Sequence, residues 1–549
     1  MKKSFLKFLP VLFLSLIVFS CSKKDKTGLL VPRGAALVVH INGASLSSKF
    51  SWKDMQATDF FQNIVQHNPD TLALQLMSDS VNTGIDKSSD FVCFFQKKAG
   101  GGYIVFEGKL TDAANFGSFA KKILPDVKQT AENGFSFASS TDRYLLGWND
   151  KRFVYIIDAN GFSMNPFEKQ AHSNLDTLKS YGRDILNLSG TETLGADKRF
   201  AALVNEPGDI HIWVNTQPFT EGGMMESYLT MMKFNVLLED NVSATTLSFD
   251  NGKIDIKSKQ YFGSEVSALL KNYQPDNVEA SLINRLPSNS LAVFALNYPP
   301  EGIKQLLRLV GADGMVNAYL GERNYSLNEF VQANKGKMLL ALNGIGRNSR
   351  QDTIGDLNGA HSIMTNNQFN IQFLFANAIN DKAAFDKLVT GIKPELNKIQ
   401  SELNSLDYVI KDGWFVMGSS KENISGFLSN NNQHLAFASR ISGHPFGGYI
   451  DLQKIMDATA PSSRDSIAMN IFQASKNMWQ DVVITGGDYK SGALEYHTEI
   501  NLVDKNTNSL KQLVRYFDQS AGRIIFGRKN RMGPQTDSLR MDIPKKKAF

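Results

Sequence analysis

Eight histidines stand at positions 40, 67, 172, 211, 361, 434, 444 and 497. No two have the helical spacing that would let both imidazoles reach one metal ion, and there is no HExxH. His497 lies between Tyr496 and Thr498 in an alternating strand, Leu494 to Ile500. Its side chain should face away from Leu494 and Tyr496, as a surface histidine would. No G-x-S-x-G elbow presents a serine nucleophile. No phosphate loop is present either, because Asn334-Lys335-Gly336-Lys337-Met338 lacks the preceding glycine and the hydroxyl. Gly100-Gly101-Gly102 falls between two strands and reads as a hairpin tip. The richest polar stretch is Asn343 to Gln368, a long loop carrying Asp352, Asp356, Asn358 and His361. Such loops on a rigid scaffold are where binding groups gather, so these four residues form a candidate binding loop. Their spacing departs from the D-x-[DN]-x-[DN]-G calcium pattern, and neither a metal nor a cofactor is expected. No residue is nominated as catalytic, and the protein is expected not to be an enzyme.

Four apolar strands end on a short polar residue: Val39-His40-Ile41-Asn42, Ile212-Trp213-Val214-Asn215, Phe294-Ala295-Leu296-Asn297 and Gly448-Tyr449-Ile450-Asp451. Each side chain is expected to cap the helix that follows or to form an Asx-turn, rather than to join the others in one site. Phenylalanine is abundant, 37 residues against 5 tryptophans. It clusters at Phe60-Phe61, at Phe91, Phe94 and Phe95, and at Phe135 and Phe137, which should fill the layer between sheet and helices. The same rings could otherwise line a cavity for an apolar ligand.

The elements that would position these residues look repeated. Leu30 to Asn42 lies over Arg285 to Asn297 without a gap, aligning Pro32 with Pro287 and Asn42 with Asn297. Tyr103 to Ile123 lies over Gln372 to Ile392, and Ala244 to Tyr273 over Ile484 to Phe517. In the last pair, Asn251-Gly252 and Ser491-Gly492 mark hairpins. Thr111-Asp112 and Asn380-Asp381 open helices, and Ser326-Leu327-Asn328-Glu329 and Ser419-Ser420-Lys421-Glu422 resemble capping boxes. Strands arrive as hairpins separated by single helices, which favours an α+β fold. The expectation is an internally duplicated chain of two similar halves, each of antiparallel sheets covered by helices. The boundaries are 1–20 for a leader, 21–29 for a tether, 30–275 and 280–518 for the halves, and 519–549 for a basic tail.

The leader begins Met1-Lys2-Lys3-Ser4 and continues with an apolar run to Phe19, too short to span a bilayer. Val18-Phe19-Ser20-Cys21 resembles the lipobox of bacterial lipoproteins. Ser20 is small enough for signal peptidase to close on the bond, and Cys21 supplies the thiol that is acylated. The polar run after Cys21 has neither an aspartate at its second position nor an acidic cluster. The expected site is therefore the outer membrane, facing the periplasm in preference to the cell surface. Cys93 would then be the remaining thiol, in a strand expected to bury it, and no intramolecular disulfide can form.

Net charge is +5 over 549 residues, and loss of Lys2, Lys3 and Lys7 with the leader lowers it by three. A body so nearly neutral does not imply a polyanion-binding surface, and nucleic acid is not expected as a partner. Basic residues gather at the end, where Arg523, Arg528, Lys529, Arg531, Arg540, Lys545, Lys546 and Lys547 face only Asp537 and Asp542. With few large apolar residues after Phe526, this tail is expected not to fold by itself.

The lipobox, the run from Pro32 to Asn42, Thr83-Gly84-Ile85-Asp86 and the apparent duplication together resemble a family of uncharacterised Bacteroides-type lipoproteins, a domain of unknown function. The resemblance implies an envelope lipoprotein and no particular chemistry. The expected function is a non-catalytic binding or scaffold protein, held to the membrane by its lipid anchor, with an envelope protein as partner. The alternative is a periplasmic carrier of an apolar ligand such as lipid, with an unrecognised hydrolase as the remaining reading.

Overall fold

Turn chemistry sets the local hairpins. Gly252 has φ +69° and closes a two-residue turn between Asp250 and Lys253. At Ser491-Gly492 both residues have positive φ, the geometry whose twist matches the flanking strands. The computed structural model describes residues 27–58, 62, 83–98, 101–123, 128–132, 134–139, 143–159, 173–221, 223–355, 361–403, 406–430, 433–461 and 466–519.

The strands are β1 (Leu37–Ile41), β2 (Phe91–Lys98), β3 (Gly101–Lys109), β4 (Lys128–Glu132), β5 (Phe135–Ser139), β6 (Tyr144–Trp148), β7 (Arg152–Asp158), β8 (Ile210–Asn215) and β9 (Val242–Asp250). They continue as β10 (Lys253–Tyr261), β11 (Ala292–Asn297), β12 (Asn334–Gly355), β13 (His361–Ile379), β14 (Asp407–Lys411), β15 (Trp414–Gly418), β16 (Phe446–Asp451), β17 (Trp479–Lys490) and β18 (Ala493–Leu502). Every pairing is antiparallel. In space the order runs β4-β5-β6-β7-β3-β2-β1-β8-β9-β10-β18-β17-β16-β11-β12-β13-β15-β14.

This corrects the expected fold class. The chain does not divide into two similar halves with their own sheets; helices and strands mix around one 18-stranded sheet. The residue-level reason is the seam between β10 and β18, where Lys253 to Tyr261 pairs with Asn501 to Ala493 over nine registered residues. An exposed strand edge is a row of unmet backbone donors and acceptors, and here two such edges satisfy each other. The strand sets on either side also differ, ten against eight. β12 and β13 pair out to Gly355 and His361, whereas the β2–β3 hairpin has turned by Lys98 and Gly101.

Helices begin where the local sequence offers a cap. Asp112 accepts from Asn115 N at 2.9 Å, Asp381 from Ala384 N at 3.0 Å, Ser326 from Glu329 N at 3.2 Å and Ser420 from Asn423 N at 3.2 Å. The helix Leu175–Leu186 buries Leu178 and Ile185 against Phe137, Leu145 and Ile156, forming one core with β1, β2 and β8. A second core gathers Val293, Leu339, Leu374, Val416 and Phe427 around β11, β12, β13 and β15. Of the expected clusters, Phe94, Phe95 and Phe137 are buried in the interior while Phe91 and Phe135 are partly buried, and Phe116 and Phe153 join them as fully buried rings. Phe60 and Phe61 lie outside the described residues. Cys93 is only half-buried, and that burial pushes its thiol pKa up. Among the described residues no helix is long and apolar enough to cross a membrane.

Candidate functional site

Three of the four strand-ending polar residues do what local chemistry asks. Asn42 accepts from Ser45 N at 3.0 Å and Asp451 from Lys454 N at 2.9 Å, each capping a helix, while Asn215 accepts from Gln217 N at 3.2 Å. Asn297 is different. The residues two and three places on are Pro299 and Pro300, which have no N–H to give. The helix Pro300–Leu309 accordingly starts with no side-chain cap. Asn297 is 3% exposed, and neither Oδ1 nor Nδ2 has a hydrogen-bond partner among the described residues. A buried amide without partners costs about 1–3 kcal/mol, so its persistence calls for a reason.

Alternation along β11 turns the Asn297 side chain to the face of Val293 and Ala295, while Leu296 opens on the other face. Asn297 lies where an apolar groove of about 400 Å³ meets a polar pocket of about 200 Å³. The groove is walled by Leu269, Leu270 and Tyr273 on one side and by Ile303 and Leu306 of the helix Pro300–Leu309 on another. Its remaining walls are Leu494 and Tyr496 of β18, Phe446 of β16 and Leu296 of β11. The apolar stripe of each helix is thus turned toward the sheet but not fully closed onto it: Leu296 and Tyr496 remain 39% and 38% exposed. Gly302 permits the close approach, since a Cβ there would stand 2.9 Å from that of Tyr273.

The polar pocket adds Asp276, Lys335 and Lys337, and it shares Gln274, Pro275, Asn297, Tyr298 and Pro299 with the groove. Gly336 forms its floor with φ +77°, and its carbonyl accepts from Tyr298 N at 2.8 Å; any side chain there would collide with Tyr298 O. Burial pushes the Tyr298 phenol up to about 12, so it stays a neutral donor. Lys337 pairs with Glu279 at 2.8 Å, while Lys335 is exposed and has no ion pair among the described residues.

Two further polar clusters come together only in the fold. His40 and His211 face each other in the β1–β8 register, Nδ1 to Nδ1 at 2.9 Å. His211 Nε2 meets Glu206 O at 2.9 Å and His40 Nε2 meets Asp90 Oδ2 at 3.3 Å. Desolvation lowers the His211 pKa, and the hydrogen bond from His40 holds the Asp90 carboxyl below its ordinary value. Both rings are almost completely buried, so the pair serves the structure rather than a substrate.

At the β10–β18 seam, Asp255, His497 and Glu499 stand close enough to hold a metal ion. The Lys253 ammonium lies 3.2 Å from Asp255 and 2.6 Å from Glu499, so a cation is already built in. Burial pushes Asp255 up, but the His497 hydrogen bond at 2.7 Å and Lys253 outweigh it and hold the carboxyl below its usual range. His497 is therefore partly exposed, as a surface position should be, yet engaged in an ion-pair network.

The expected binding loop is strand over most of its length. Asp352 lies in β12 opposite Met364, and His361 begins β13 opposite Gly355. Three register pairs, about 10 Å of ribbon, separate the two backbone positions. Asp356 and Asn358 fall outside the described residues, as do Ser20, Cys21 and the basic tail. Asn297 was legible as a strand end but not as a site residue. The signal that distinguishes it from Asn42 and Asp451 is the Pro299-Pro300 pair.

A family model described as a domain of unknown function, DUF4836, matches residues 28–441. The search of curated proteins finds no match. Among solved structures, crystal form III of TP0453 is 12% identical with a TM-score of 0.26, covering 46% of this chain and 88% of that one. Crystal form I is 10% identical with a TM-score of 0.26, covering 46% and 90%. A superposition that loose carries no argument about fold or function.

Proposed function

The chain belongs to the family of the domain of unknown function DUF4836, and we propose that it is a non-catalytic envelope lipoprotein whose activity is to bind an apolar ligand. The observation that carries this reading is the groove between β18, β16 and the helix Pro300–Leu309, about 400 Å³ and walled almost wholly by aliphatic and aromatic side chains. Ligand sites are typically concave, mostly apolar and of this size. In this reading Cys21 carries the lipid anchor and holds the body at the outer membrane, on its periplasmic side, where acyl chains are abundant. Native mass spectrometry of a chain starting at Ser22, which retains every described residue, should show an adduct of lipid mass. A clean apo mass after gentle isolation would overturn the reading. The anchor has its own test: a fatty-acid probe should label the wild-type protein and not Cys21→Ala.

A scaffold reading, with an envelope protein as partner, draws support from a separate surface. Tyr228 and Met231 on the helix Gly223–Met231, and Met315 and Tyr319 on Asp313–Gly321, are all more than half exposed. Crosslinking in intact cells should then recover one envelope protein repeatedly, and its loss on Met231→Glu with Met315→Glu would assign the surface.

A further inference from the structure

Strand edges in this sheet are handled in two different ways. The outermost strands, β4 and β14, are five residues long and carry a charge at each end: Lys128 and Glu132 on one, Asp407 and Lys411 on the other. Short length and charge keep an exposed edge from recruiting another chain. The ribbon of β12 and β13 does otherwise. β11 follows β12 only to Leu342, and β15 follows β13 only to Leu374, with Ser419 reaching Phe373. Past those points β12 and β13 pair with each other alone, from Gly344 and Gln372 out to Gly355 and His361, and no further strand joins them among the described residues. The β12 edge of this ribbon is guarded, since it carries Arg347, Arg350 and Asp352 and is interrupted by Gly344 and Gly346. The β13 edge is not. From His361 to Gln372 it runs for about 40 Å without a lysine, arginine, carboxylate, proline or glycine. Ile371, at its base, is more than half exposed.

We propose that this edge binds a second copy of the chain, β13 pairing antiparallel with β13 of the other copy so that the two sheets become continuous. A row of unmet backbone donors and acceptors is satisfied by a like row, as it already is between β10 and β18. Charge selects this edge and this occupant. Antiparallel pairing about a two-fold axis sets the segment against itself, and a segment without charges places no like charges opposite one another in any register. In full overlap Asn366 stands opposite Asn367 of the second copy, Thr365 opposite Gln368, and Met364 opposite Phe369. Amide pairs at the centre are thus flanked by apolar pairs, both favourable across neighbouring strands.

Sedimentation equilibrium of the chain starting at Ser22 tests the contact. The wild-type chain should form a dimer that dissociates on dilution. Thr365→Lys with Gln368→Lys sets lysine opposite lysine at two places and should weaken dimerisation at least tenfold. Thr365→Glu with Gln368→Glu should do the same, and an equimolar mixture of the two variants should dimerise again, because each lysine then meets a glutamate. Thermal unfolding checks that each variant keeps its fold. A wild-type chain that stays monomeric at its highest soluble concentration would overturn the proposal. A dimer indifferent to the lysine pair would place the contact elsewhere and overturn it as well. Lysine and glutamate variants that remain monomers when mixed would show that β13 does not meet itself in this register.

Discussion

Substituting alanine at the four strand-ending polar residues should divide them by sign of stability change. Asn42 and Asp451 each satisfy an otherwise unpaired helix-start N–H, at 3.0 and 2.9 Å. Losing such a cap costs about 1 kcal/mol, and Asn42→Ala also gives up the 3.2 Å bond from its Nδ2 to Gly208 O. Asn215→Ala, which breaks a turn contact of 3.2 Å near the surface, should cost less. For Asn297 the balance reverses, because its buried amide has no partner to lose among the described residues. Removing it relieves about 1–3 kcal/mol of desolvation, set against about 1 kcal/mol of lost packing from the deleted atoms. The net is between neutral and about 2 kcal/mol more stable, so Asn297→Ala and Asp451→Ala should differ by about 2 kcal/mol. With a urea slope near 4 kcal/mol/M, an extrapolation to this chain length, that is about half a molar in the unfolding midpoint. Equilibrium urea unfolding of the four variants, followed by circular dichroism, measures it. If Asn297→Ala loses more than about 1 kcal/mol, the amide is bonded within the protein and the reasoning fails.

Acidification should unfold the protein partly through the buried histidine pair. His211 has its folded pKa lowered from 6.5 by desolvation, so the unfolded chain binds more protons there, and stability falls as pH drops below about 6.5. Asp90 is lowered from 3.8 by its hydrogen bond from His40, so its contribution holds above about 3.8 and is lost only in stronger acid. His211→Phe should flatten the urea midpoint between pH 7 and 5 while leaving the loss below pH 4; an unchanged slope in the upper window would show that His211 is not the group responsible. At β17, Arg440 holds the buried Asp481 carboxylate through two contacts of 3.1 Å, with Asn501 Nδ2 at 2.8 Å as the third. Because Arg440 is itself 37% exposed, Arg440→Met should cost about 2 kcal/mol, below the 3–5 typical when a fully buried pair is broken. Arg440→Met with Asp481→Asn should recover part of that loss.

Much of this protein was readable from neighbours in the chain. The turns at Asn251-Gly252 and Ser491-Gly492 and the caps at Asp112, Ser326 and Asp381 follow because donor and acceptor lie within three residues, so residue type alone selects the conformation; the expected box from Ser419 to Glu422 shifts by one, because Ser419 Oγ accepts from Phe373 N of β13 at 2.9 Å and leaves Ser420 as the cap. The phenylalanine clusters announced a core for the same reason: a buried ring needs only an apolar environment, not a named partner. The seam between β10 and β18 was not readable, since an alternating pattern says that a strand has an inner face but not which edge it will meet. His497 finds Asp255 across 242 residues of sequence, and His40 finds His211 across 171. Polar loop composition between Asn343 and Gln368 likewise suggested a loop where antiparallel pairing extends to Gly355 and His361. Asn297 shows the division within a single residue. That Pro299 and Pro300 deny its side chain a cap is written in the sequence, because proline has no N–H. That the stranded amide is buried, and lies where an apolar groove meets a lysine-bearing pocket, required β11, β16 and β18 and two helices to converge, and only tertiary packing brings them together.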